Sequence, residues 1–362
     1  MSLETIAAAT QRQADACERF GSPLYAALLP RIVQDIRADG PCAEATMACA
    51  ARPALDAVAL RLLSAVHHLA LTGRAPAVAA HYPSTGGSFD PAAPDVCWPA
   101  FRAAVSAYPA WIRRWMTRPP QTNEVGRANL LIAGLLWATT AHPLPIRLFE
   151  LGASAGLNLR ADHFLSAHGE TTCGPANSAV RLDPAWEGAA PEWWLRAAAR
   201  HRVLTVAERR GCDLSLIDPL SPDGALALRA YVWPDQTDRL ARLDGALRVA
   251  ARVPARVDRM GAAEFLASVR LKPGTVTVVW HSIMRQYVPT AEWSQVEREL
   301  VRLAAQSTSE AAFVHLGFEP ARVGHDSRYQ LIARLGHTPA TVLATAPSHG
   351  LPARDAGASR PR

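Results

Sequence analysis

The chain is nearly free of lysine. Lys272 is the sole lysine among 362 residues, and arginine supplies almost all the positive charge behind the formal net charge of +6. A specific nucleic-acid surface requires clustered basic residues interleaved with aromatic residues. In this chain the arginines are scattered, and no such basic run occurs. The sequence therefore predicts no nucleic-acid partner, and we interpret the positive charge as a solvated surface.

Metal-binding and membrane-spanning patterns are also missing. The sequence has no CxxC pair and no zinc-type histidine spacing, and its six cysteines are Cys17, Cys42, Cys49, Cys97, Cys173 and Cys212. We expect no metal site and interpret the cysteines as buried free thiols. The longest apolar run, residues 130–138, is too short to cross a bilayer, and the amino-terminal segment lacks the regions of a secretory signal. These absences predict a cytoplasmic protein without a membrane partner.

Apolar residues, in contrast, make up 49% of the chain, which is enough for a large core. Residues 1–142 carry them mainly at helical spacing and predict a helical amino-terminal domain that acts as a lid. Residues 143–350 alternate short apolar runs with amphipathic helical segments, which is typical of a parallel α/β sheet. We expect an insertion at about 169–202, and we predict that the polar segment 351–362 is disordered.

The α/β part can be predicted element by element. Helices are expected over residues 157–165 and 237–250 and after Thr290, whose side chain is predicted to cap the last of them. Strands are expected within residues 146–150, 202–215, 255–260, 275–280 and 311–318, with a hairpin over 329–346. This alternation, ending in an antiparallel hairpin, resembles the class I S-adenosylmethionine-dependent methyltransferase fold. The predicted fold class is therefore α/β, with a Rossmann-like, methyltransferase-type sheet and a mainly helical amino-terminal domain.

The segment FELGASAGLNL, residues 149–159, is the first candidate for a site. Gly152 to Gly156 fits the G-x-S-x-G elbow that presents a nucleophilic serine, here Ser154. The same residues with Glu150 match the (E/D)-x-G-x-G-x-G loop of methyltransferases, with serine at the middle glycine. Both interpretations stay open at this point.

The resemblance to methyltransferases implies a set of cofactor contacts. The glycine-rich turn would lie against S-adenosylmethionine, and an acid after the second strand would accept hydrogen bonds from its ribose. Asp213 is the candidate for that acid and Asp183 the alternative, while Ala262 follows Gly261 where the family often has an aspartate. Serine is tolerated in the turn provided that its φ is negative. The predicted cofactor-binding residues are Glu150, Gly152, Ser154, Gly156, Asn158 and Asp213.

The acceptor side of the site is predicted from residues near the carboxyl edge of the sheet. His281 follows the fourth strand and is the candidate general base, although a structural histidine fits equally well. The motif QTNEVGR, residues 121–127, and the motif YVWPDQ, residues 231–236, can each hold a polar substrate or cap a helix. The predicted substrate-binding residues are Tyr82, Asn123, Glu124, Arg127, Trp233 and Tyr287.

The elbow interpretation implies a different enzyme. The segment GASAGLNL resembles the GDSAGGNL elbow of the hormone-sensitive-lipase-like esterases, with Ser154 as nucleophile and His281 or His349 as base. Such a hydrolase needs several strands before its elbow, and residues 1–142 are predicted to be helical. We therefore favour the cofactor interpretation, and we keep a non-catalytic metabolite-binding protein as a third hypothesis.

Six motifs extend the resemblance over nearly the whole chain, from about residue 10 to about residue 350. They look like motifs of the bacterial domain-of-unknown-function family DUF2332, and in order they are YPSTGGSF, QTNEVGR, FELGASAGLNL, RRGCDLSLIDP, YVWPDQTDRLARL and WHSIMRQY. This resemblance implies a shape more than a reaction. The favoured hypothesis is S-adenosylmethionine-dependent methyl transfer to an oxygen, nitrogen or sulfur nucleophile of a small molecule, and the sequence gives no sign of the oligomeric state.

Overall fold

The computed structural model describes residues 2–47, 57–321 and 329–357, and the chain divides into two compact units. The first unit comprises Met1–Thr122 and Ser221–Ala241, and the second comprises Asn123–Leu220 and Arg242–Arg362. A segment of the predicted α/β part, residues 221–241, thus belongs to the helical unit. The apolar residues of this segment have the spacing of any amphipathic helix, so the sequence does not indicate that the segment belongs to the first unit.

The first unit is built from helices whose apolar faces form its core. In α4, for example, Leu62, Val66 and Leu69 are buried at the spacing of one helix face. The helices of this unit are α1 (Leu3–Arg19), α2 (Pro23–Arg37), α3 (Pro41–Met47), α4 (Val58–Leu71), α5 (Pro76–Ala79), α6 (Cys97–Ala107), α7 (Pro109–Met116), α10 (Pro222–Tyr231) and the first turn of α11 (Thr237–Ala250).

The second unit is built on a large mixed sheet, which confirms the predicted α/β class. Its described strands are β1 (Ile146–Leu151), β5 (Val206–Cys212), β6 (Arg256–Asp258), β7 (Thr275–Ser282), β8 (Ala311–Pro320), β9 (Tyr329–Leu335), β10 (Thr341–Ala346) and β11 (Arg354–Asp355). They lie in the order β11-β10-β9-β8-β7-β1-β5-β6. The five strands from β8 to β6 in this order are parallel, and β9, β10 and β11 are added by antiparallel pairing.

Different helices cover the two faces of this sheet. On one face α8 (Ala128–Ala141) is buried along almost its whole length, and Gly134 faces Leu316 so closely that an added Cβ would lie 2.6 Å from its Cδ1. On the other face α12 (Ala262–Ser268) and α13 (Thr290–Ala305) pack on Val279 and Phe313. Because side chains alternate along a strand, consecutive residues of β7 and β8 serve opposite faces.

The expected insertion is an ordered part of the second unit. The helix predicted over residues 157–165 is wrong, because a 3-10 helix, Leu157–His163, is followed directly by a strand. A separate three-stranded sheet and one helix follow, with the bounds β2 (Leu165–His168), β3 (Thr171–Cys173), β4 (Arg181–Leu182) and α9 (Glu192–Arg200). Strands of this length are too short to produce a periodic sequence signal.

Two further predictions differ from the structure. Thr290 is the first residue of α13 and its side chain makes no capping hydrogen bond, while Pro289 occupies the N-cap position. The segment predicted to be disordered begins with ordered backbone, because the Ala353 N–H donates to the Ala185 carbonyl at 2.9 Å and β11 pairs with β10. Residues 358–362 of that segment lie outside the described residues.

The prediction that the cysteines are buried free thiols is confirmed for the part of the chain that the structure describes. Cys17, Cys42, Cys97, Cys173 and Cys212 are buried and unpaired. Burial raises the pKa of the Cys17, Cys97, Cys173 and Cys212 thiols to about 12, so these thiols are not reactive nucleophiles. Cys49 lies outside the described residues. Within those residues no helix has the length and apolar character needed to span a membrane.

Candidate functional site

The sheet of the second unit has a switch point at β1. From β1 the sheet extends through β5 and β6 on one side and through β7 and β8 on the other. In open α/β sheets, ligands bind outside the carboxyl ends of the strands at such a point. The loop after β1, Asp213 after β5 and residues 283–288 after β7 all lie at this edge. The sequence-predicted cofactor loop is therefore located where a ligand is expected.

The loop after β1 has left-handed backbone at three alternate positions. Gly152, Ser154 and Gly156 have φ values of 66°, 54° and 67°. The expectation of a negative φ at Ser154 is wrong, and this serine carries strain that glycine would avoid. The two glycines are also held by packing: an added Cβ would lie 3.0 Å from Met284 Cβ at Gly152 and 2.7 Å from Val257 Cγ2 at Gly156.

Glu150 is a buried carboxyl group at the end of β1. Its side chain shares the face of Trp280, which lies opposite it on β7, and the residue is 3% exposed. Burial raises the pKa of Glu150 to about 8 and Asp213 adds to the rise, while the Trp280 indole and the charges of Arg127 and Arg160 oppose it. Its Oε2 has no hydrogen-bond partner among the described residues. Glu150 is therefore protonated at neutral pH and has one oxygen available.

The two candidate ribose ligands occupy different places. Asp213 follows β5 and supports the β1 loop, since its Oδ2 accepts the Ser154 N–H at 2.9 Å and its Oδ1 accepts the Ser215 N–H at 2.7 Å. Asp183 follows β4 in the small sheet, where it pairs with Arg181 at 2.9 Å. Of the two, Asp213 alone is joined to the predicted cofactor loop.

Residues 123–127 of the QTNEVGR motif belong to the second unit and contact the same loop. Asn123 Oδ1 accepts the Leu157 N–H at 3.1 Å, and Asn158 Nδ2 donates to the Glu124 carbonyl at 3.2 Å. These side-chain hydrogen bonds link the two segments in both directions. Three of the predicted site residues, Asn123, Glu124 and Asn158, thus meet at the start of the 3-10 helix Leu157–His163.

Glu124 and Arg127 have separate structural roles. Glu124 Oε1 accepts the Gly126 N–H at 3.0 Å, so Glu124 caps the short 3-10 helix Val125–Arg127. Arg127 donates from Nε to the Ser348 carbonyl at 3.0 Å and from Nη1 to the Ser282 carbonyl at 3.3 Å. Arg127 therefore ties the end of β7 to the loop that follows β10.

His281 lies on the face of the sheet opposite to Glu150. It is 2% exposed, and its ring packs edge-on against Trp293 of α13. Its Nδ1 lies 2.8 Å from Glu319 Oε1, and its Nε2 lies 3.0 Å from His315 Nε2. Both ring nitrogens thus have partners, which supports a positioning role more than a base that touches an acceptor beside Glu150. The assignment of His281 as general base stays a prediction.

Comparison with known proteins gives the family. A family model described as an uncharacterized protein conserved in bacteria, DUF2332, matches residues 7–354. The chain belongs to this family. The match confirms the resemblance of the six sequence motifs to DUF2332, and it extends from α1 to the start of β11. No curated protein and no solved structure matches the chain.

Two predicted substrate residues of this DUF2332 protein belong to the first unit. Tyr82 is fully buried and Trp233 is nearly so, and each packs against the ring of Tyr25, at centroid distances of 6.5 and 6.2 Å. Their motifs are joined where the Ser84 N–H donates to the Pro234 carbonyl at 2.9 Å. These rings are part of the core of the first unit, since they expose little surface to a ligand.

The polar residues beside those rings are also structural. Asp235 accepts the Ser22 hydroxyl at 2.7 Å and the Leu24 N–H at 2.9 Å, so it holds the amino terminus of α2. His67 contacts the Ser84 hydroxyl at 2.7 Å and the Ala230 carbonyl at 3.1 Å. Burial lowers the pKa of His67 to about 4. His67 is therefore a buried histidine whose two ring nitrogens both have partners.

The remaining predicted positions lie at the edge of the second unit. Tyr287 is 54% exposed at the end of a short 3-10 helix, Arg285–Tyr287. Ala262 begins α12, and its N–H donates to Glu292 Oε1 of α13 at 3.1 Å. Glu292 therefore satisfies a backbone N–H at the amino terminus of α12.

The structure adds site residues that the sequence analysis missed. Arg160 holds the β1 loop by donating to the Gly156 carbonyl and to the Val253 carbonyl, each at 2.7 Å. His315 and Glu319 join His281, and their alternation along β8 was a usable signal, since residues two and four apart share a face. Among the described residues no group of histidine, cysteine, aspartate and glutamate is arranged to hold a metal ion.

Proposed function

We propose that this protein binds S-adenosylmethionine at the carboxyl edge of β1 and β5 and catalyses methyl transfer to an oxygen, nitrogen or sulfur nucleophile of a small molecule. The main support is the union of three features at the switch point of the sheet. These are the glycine-containing loop after β1, the buried Glu150 beneath it and Asp213 immediately after β5. The resemblance of the sequence to class I methyltransferases implies cofactor contacts at the same three features.

Unsatisfied polar atoms at the loop fit such a ligand. Glu150 Oε2, Ser154 Oγ and Asn158 Oδ1 are buried and have no hydrogen-bond partner in the described ranges of the chain. A buried polar atom without a partner costs about 1–3 kcal/mol. An amino-acid and ribose moiety carries the N–H and O–H donors that would satisfy these acceptors, so the residues present fit the cofactor.

The chain's own residues would bind and orient the reactants. Asp213 can accept ribose hydroxyls while it keeps the Ser154 N–H, because a carboxylate has about four acceptor positions. Glu150 accepts at the end of β1, and Arg160 holds the loop backbone. Bound S-adenosylmethionine would supply an activated methyl group. Most of the acceleration would come from proximity and orientation.

Other parts of the proposal follow from composition and burial. A small-molecule acceptor, and neither a nucleic acid nor a membrane, is the proposed partner, since the arginines are scattered along the sequence. The unpaired thiols of the described cysteines support a reducing, cytoplasmic location. If the protein binds the cofactor but methylates no acceptor, it is the non-catalytic metabolite-binding protein of the third hypothesis.

Replacing Asp213 by asparagine is the direct test of this proposal. We expect wild-type protein to bind S-adenosylhomocysteine at a micromolar level, about −8 kcal/mol. Asp213→Asn should weaken binding at least tenfold, about 1.4 kcal/mol, because an amide accepts ribose hydroxyls more weakly than a carboxylate. Isothermal titration measures both values. Asp183→Asn is the matched control and should bind like wild type; no saturable binding by folded wild type, or equal losses in both variants, would refute the proposal.

Replacing Ser154 by glycine separates the methyltransferase from the serine hydrolase. The strained turn resembles a nucleophile elbow, but Ser154 Oγ is buried and has no histidine partner among the described residues. We expect Ser154→Gly to keep S-adenosylhomocysteine binding and to raise the free energy of unfolding by about 1 kcal/mol, because glycine relieves the left-handed strain. Urea denaturation and titration check this. Fluorophosphonate labelling of wild type that disappears in Ser154→Gly would instead establish the hydrolase.

A further inference from the structure

A cavity of about 380 Å³ lies on the α13 face of the sheet, and we call it the His281 cavity. Its polar floor is formed by His281 of β7 and by His315 and Glu319 of β8. Leu300 and Ile332 are among the apolar residues that line it. The volume, and the combination of an apolar lining with a few polar groups, are those of a small-molecule site. The chemistry of the floor decides which ligand fits.

Glu319 supplies the negative charge of the floor. Its Oε1 lies 2.8 Å from His281 Nδ1 and accepts the Met284 N–H at 3.2 Å. Its Oε2 is buried and has no hydrogen-bond partner among the described residues. Because a carboxylate can only accept, His281 carries a proton on Nδ1. Within the described part of the chain, His281 is the ion-pair partner of Glu319 and no arginine or lysine takes that place.

The two imidazoles of the floor share one hydrogen bond. His281 Nε2 and His315 Nε2 are 3.0 Å apart on rings whose centres are 5.2 Å apart, so these nitrogens lie between the two centres. One of them carries a proton and the other a lone pair. Gly317 pairs with His281 across the β7–β8 ladder, and an added Cβ there would lie 3.0 Å from His281 Cε1 and Nε2. The contact between the rings therefore depends on glycine at this position.

These hydrogen bonds allow two arrangements of protons on the same heavy atoms. In the first, His281 is neutral, its Nε2 accepts from His315, and His315 Nδ1 holds a lone pair. In the second, His281 is a cation that donates from both nitrogens, and the proton of His315 is on Nδ1. His315 lines the cavity, and its Nδ1 has no partner among the described residues. The first arrangement thus presents a base to a ligand, and the second results when that base has taken a proton.

The surroundings place the resulting positive charge on His281. Desolvation, together with the charges of His281 and Arg334, lowers the pKa of His315 well below its usual value. His281, in contrast, lies against the carboxylate of Glu319. The remaining charged residues of the lining pair with each other at 3.7 Å and are Arg285 and Glu297. A proton accepted at His315 Nδ1 therefore appears as a positive charge beside Glu319.

We propose that Glu319, His281 and His315 form a proton relay that ionises a phenol bound in the His281 cavity. The ligand O–H bond breaks and its proton forms an N–H bond at His315 Nδ1, while the proton of His315 Nε2 passes to His281 Nε2. The ligand oxygen keeps the electron pair as an anion, and His281 becomes the cation. No other reactant is needed.

The class of ligand follows from the base and from the lining. An imidazole is too weak a base to ionise an aliphatic alcohol, whereas a phenol loses its proton near pH 10 or below. The hydrocarbon ring of a phenol can pack on the apolar lining around Leu300 and Ile332. Glu150 lies on the other face of the sheet, so this ligand is separate from the proposed S-adenosylmethionine.

The probe for this site is para-nitrophenol, because its phenolate absorbs visible light and its neutral form does not. Isothermal and absorbance titrations of the full-length protein, without S-adenosylmethionine, measure its affinity and its ionisation. We expect a dissociation constant below about 1 mM, which is within reach of a ligand with this few atoms. At a pH where the free probe is about nine-tenths neutral, the bound probe should be mainly phenolate, a change of at least tenfold in their ratio. Folded wild type without this phenolate band at saturation would overturn the proposal.

Glu319→Gln separates the relay from a merely structural cluster. Glutamine keeps an oxygen for His281 and Met284 but removes the negative charge, so the phenolate-to-phenol ratio of the bound probe should fall at least tenfold. Para-nitroanisole has no proton to give and should bind wild type and Glu319→Gln equally. His315→Gln should lose the phenolate band in the same way. A band that either variant retains would overturn the relay.

Two further variants locate the probe. Ala340→Phe adds a ring at an exposed position of the cavity lining and should abolish both binding and the phenolate band. His337→Gln changes an exposed histidine in the turn between β9 and β10, outside the lining, and should behave like wild type. A phenolate band that persists in Ala340→Phe, or that disappears in His337→Gln, would place the ionising group outside the cavity and overturn the assignment.

Discussion

Replacing Glu150 by glutamine is expected to make the protein more stable above pH 8, by up to about 5 kcal/mol. The buried Glu150 carboxyl has its pKa raised from 4.5 to about 8 by burial. Each pKa unit is worth roughly 1.4 kcal/mol, so this displacement sets the upper limit. Glutamine keeps the shape and one oxygen of the side chain but never ionises in the core.

The sign follows from proton binding in the two states. Between pH 4.5 and about 8 the folded protein keeps the Glu150 proton, whereas the unfolded chain has released it. The wild-type free energy of unfolding therefore falls as the pH rises through this window, and the contribution is fully present below pH 4.5. Glu150→Gln lacks this loss, so the difference between the two proteins should grow from pH 4.5 to pH 8.

Urea denaturation at several pH values measures this difference. Glu170→Gln is the control, because Glu170 is exposed in the turn between β2 and β3 and should leave the pH dependence of wild type unchanged. A difference between wild type and Glu150→Gln that stays constant from pH 5 to pH 8.5 would contradict the buried, protonated state of Glu150.

Replacing Gly156 by alanine is expected to cost about 2–5 kcal/mol of folding free energy. Part of the cost, roughly 1–2 kcal/mol, arises because an L-residue must adopt the left-handed φ of 67°. The larger part arises because the new Cβ would lie 2.7 Å from Val257 Cγ2, and overpacking of this kind costs about 1–3 kcal/mol. Relief of the contact would displace the β1 loop and weaken the proposed binding of S-adenosylhomocysteine.

Gly169→Ala is the matched comparison for this variant. Gly169 has a similar φ of 56°, but nothing lies within 4 Å of an added Cβ, so only the backbone cost should remain. Chemical denaturation should therefore give a loss at Gly156 that exceeds the loss at Gly169 by about 1–3 kcal/mol. Equal losses of folding free energy in the two variants would mean that the β1 loop moves away from Val257 without an energetic penalty. Packing against Val257 would then not fix the position of Gly156.

The main strands of the sheet could be predicted because their signal is local. Val276, Val278 and Val279 lie in an apolar run bounded by glycine and a polar turn, and this run became β7. The segment after Gly156 could not be predicted in this way. Leu157 and Ala161 have helical spacing, yet the segment is a 3-10 helix followed by β2, because its hydrogen bonds go to distant partners such as Asn123.

The site was predictable where its residues follow strands and unpredictable where partners come from elsewhere. Asp213 could be found because it comes directly after β5. Tyr82 and Trp233 looked like ligand contacts because they stand in motifs, but the first unit uses them as core. Glu150 and His281 lie on opposite faces of the sheet because Glu150 pairs with Trp280, the residue before His281. The sequence alone does not give this pairing of β1 with β7.

The central position of β1 has a consequence for the protein during its synthesis. Its two neighbours in the sheet, β5 and β7, follow it in the chain, and β7 ends at Ser282. At about 5–20 residues per second, β1 and the apolar helix α8 leave the ribosome on the order of ten seconds before β7 is available. For that interval they expose the surface that later forms the middle of the core, so we expect the nascent chain to depend on chaperones until its second sheet neighbour has emerged.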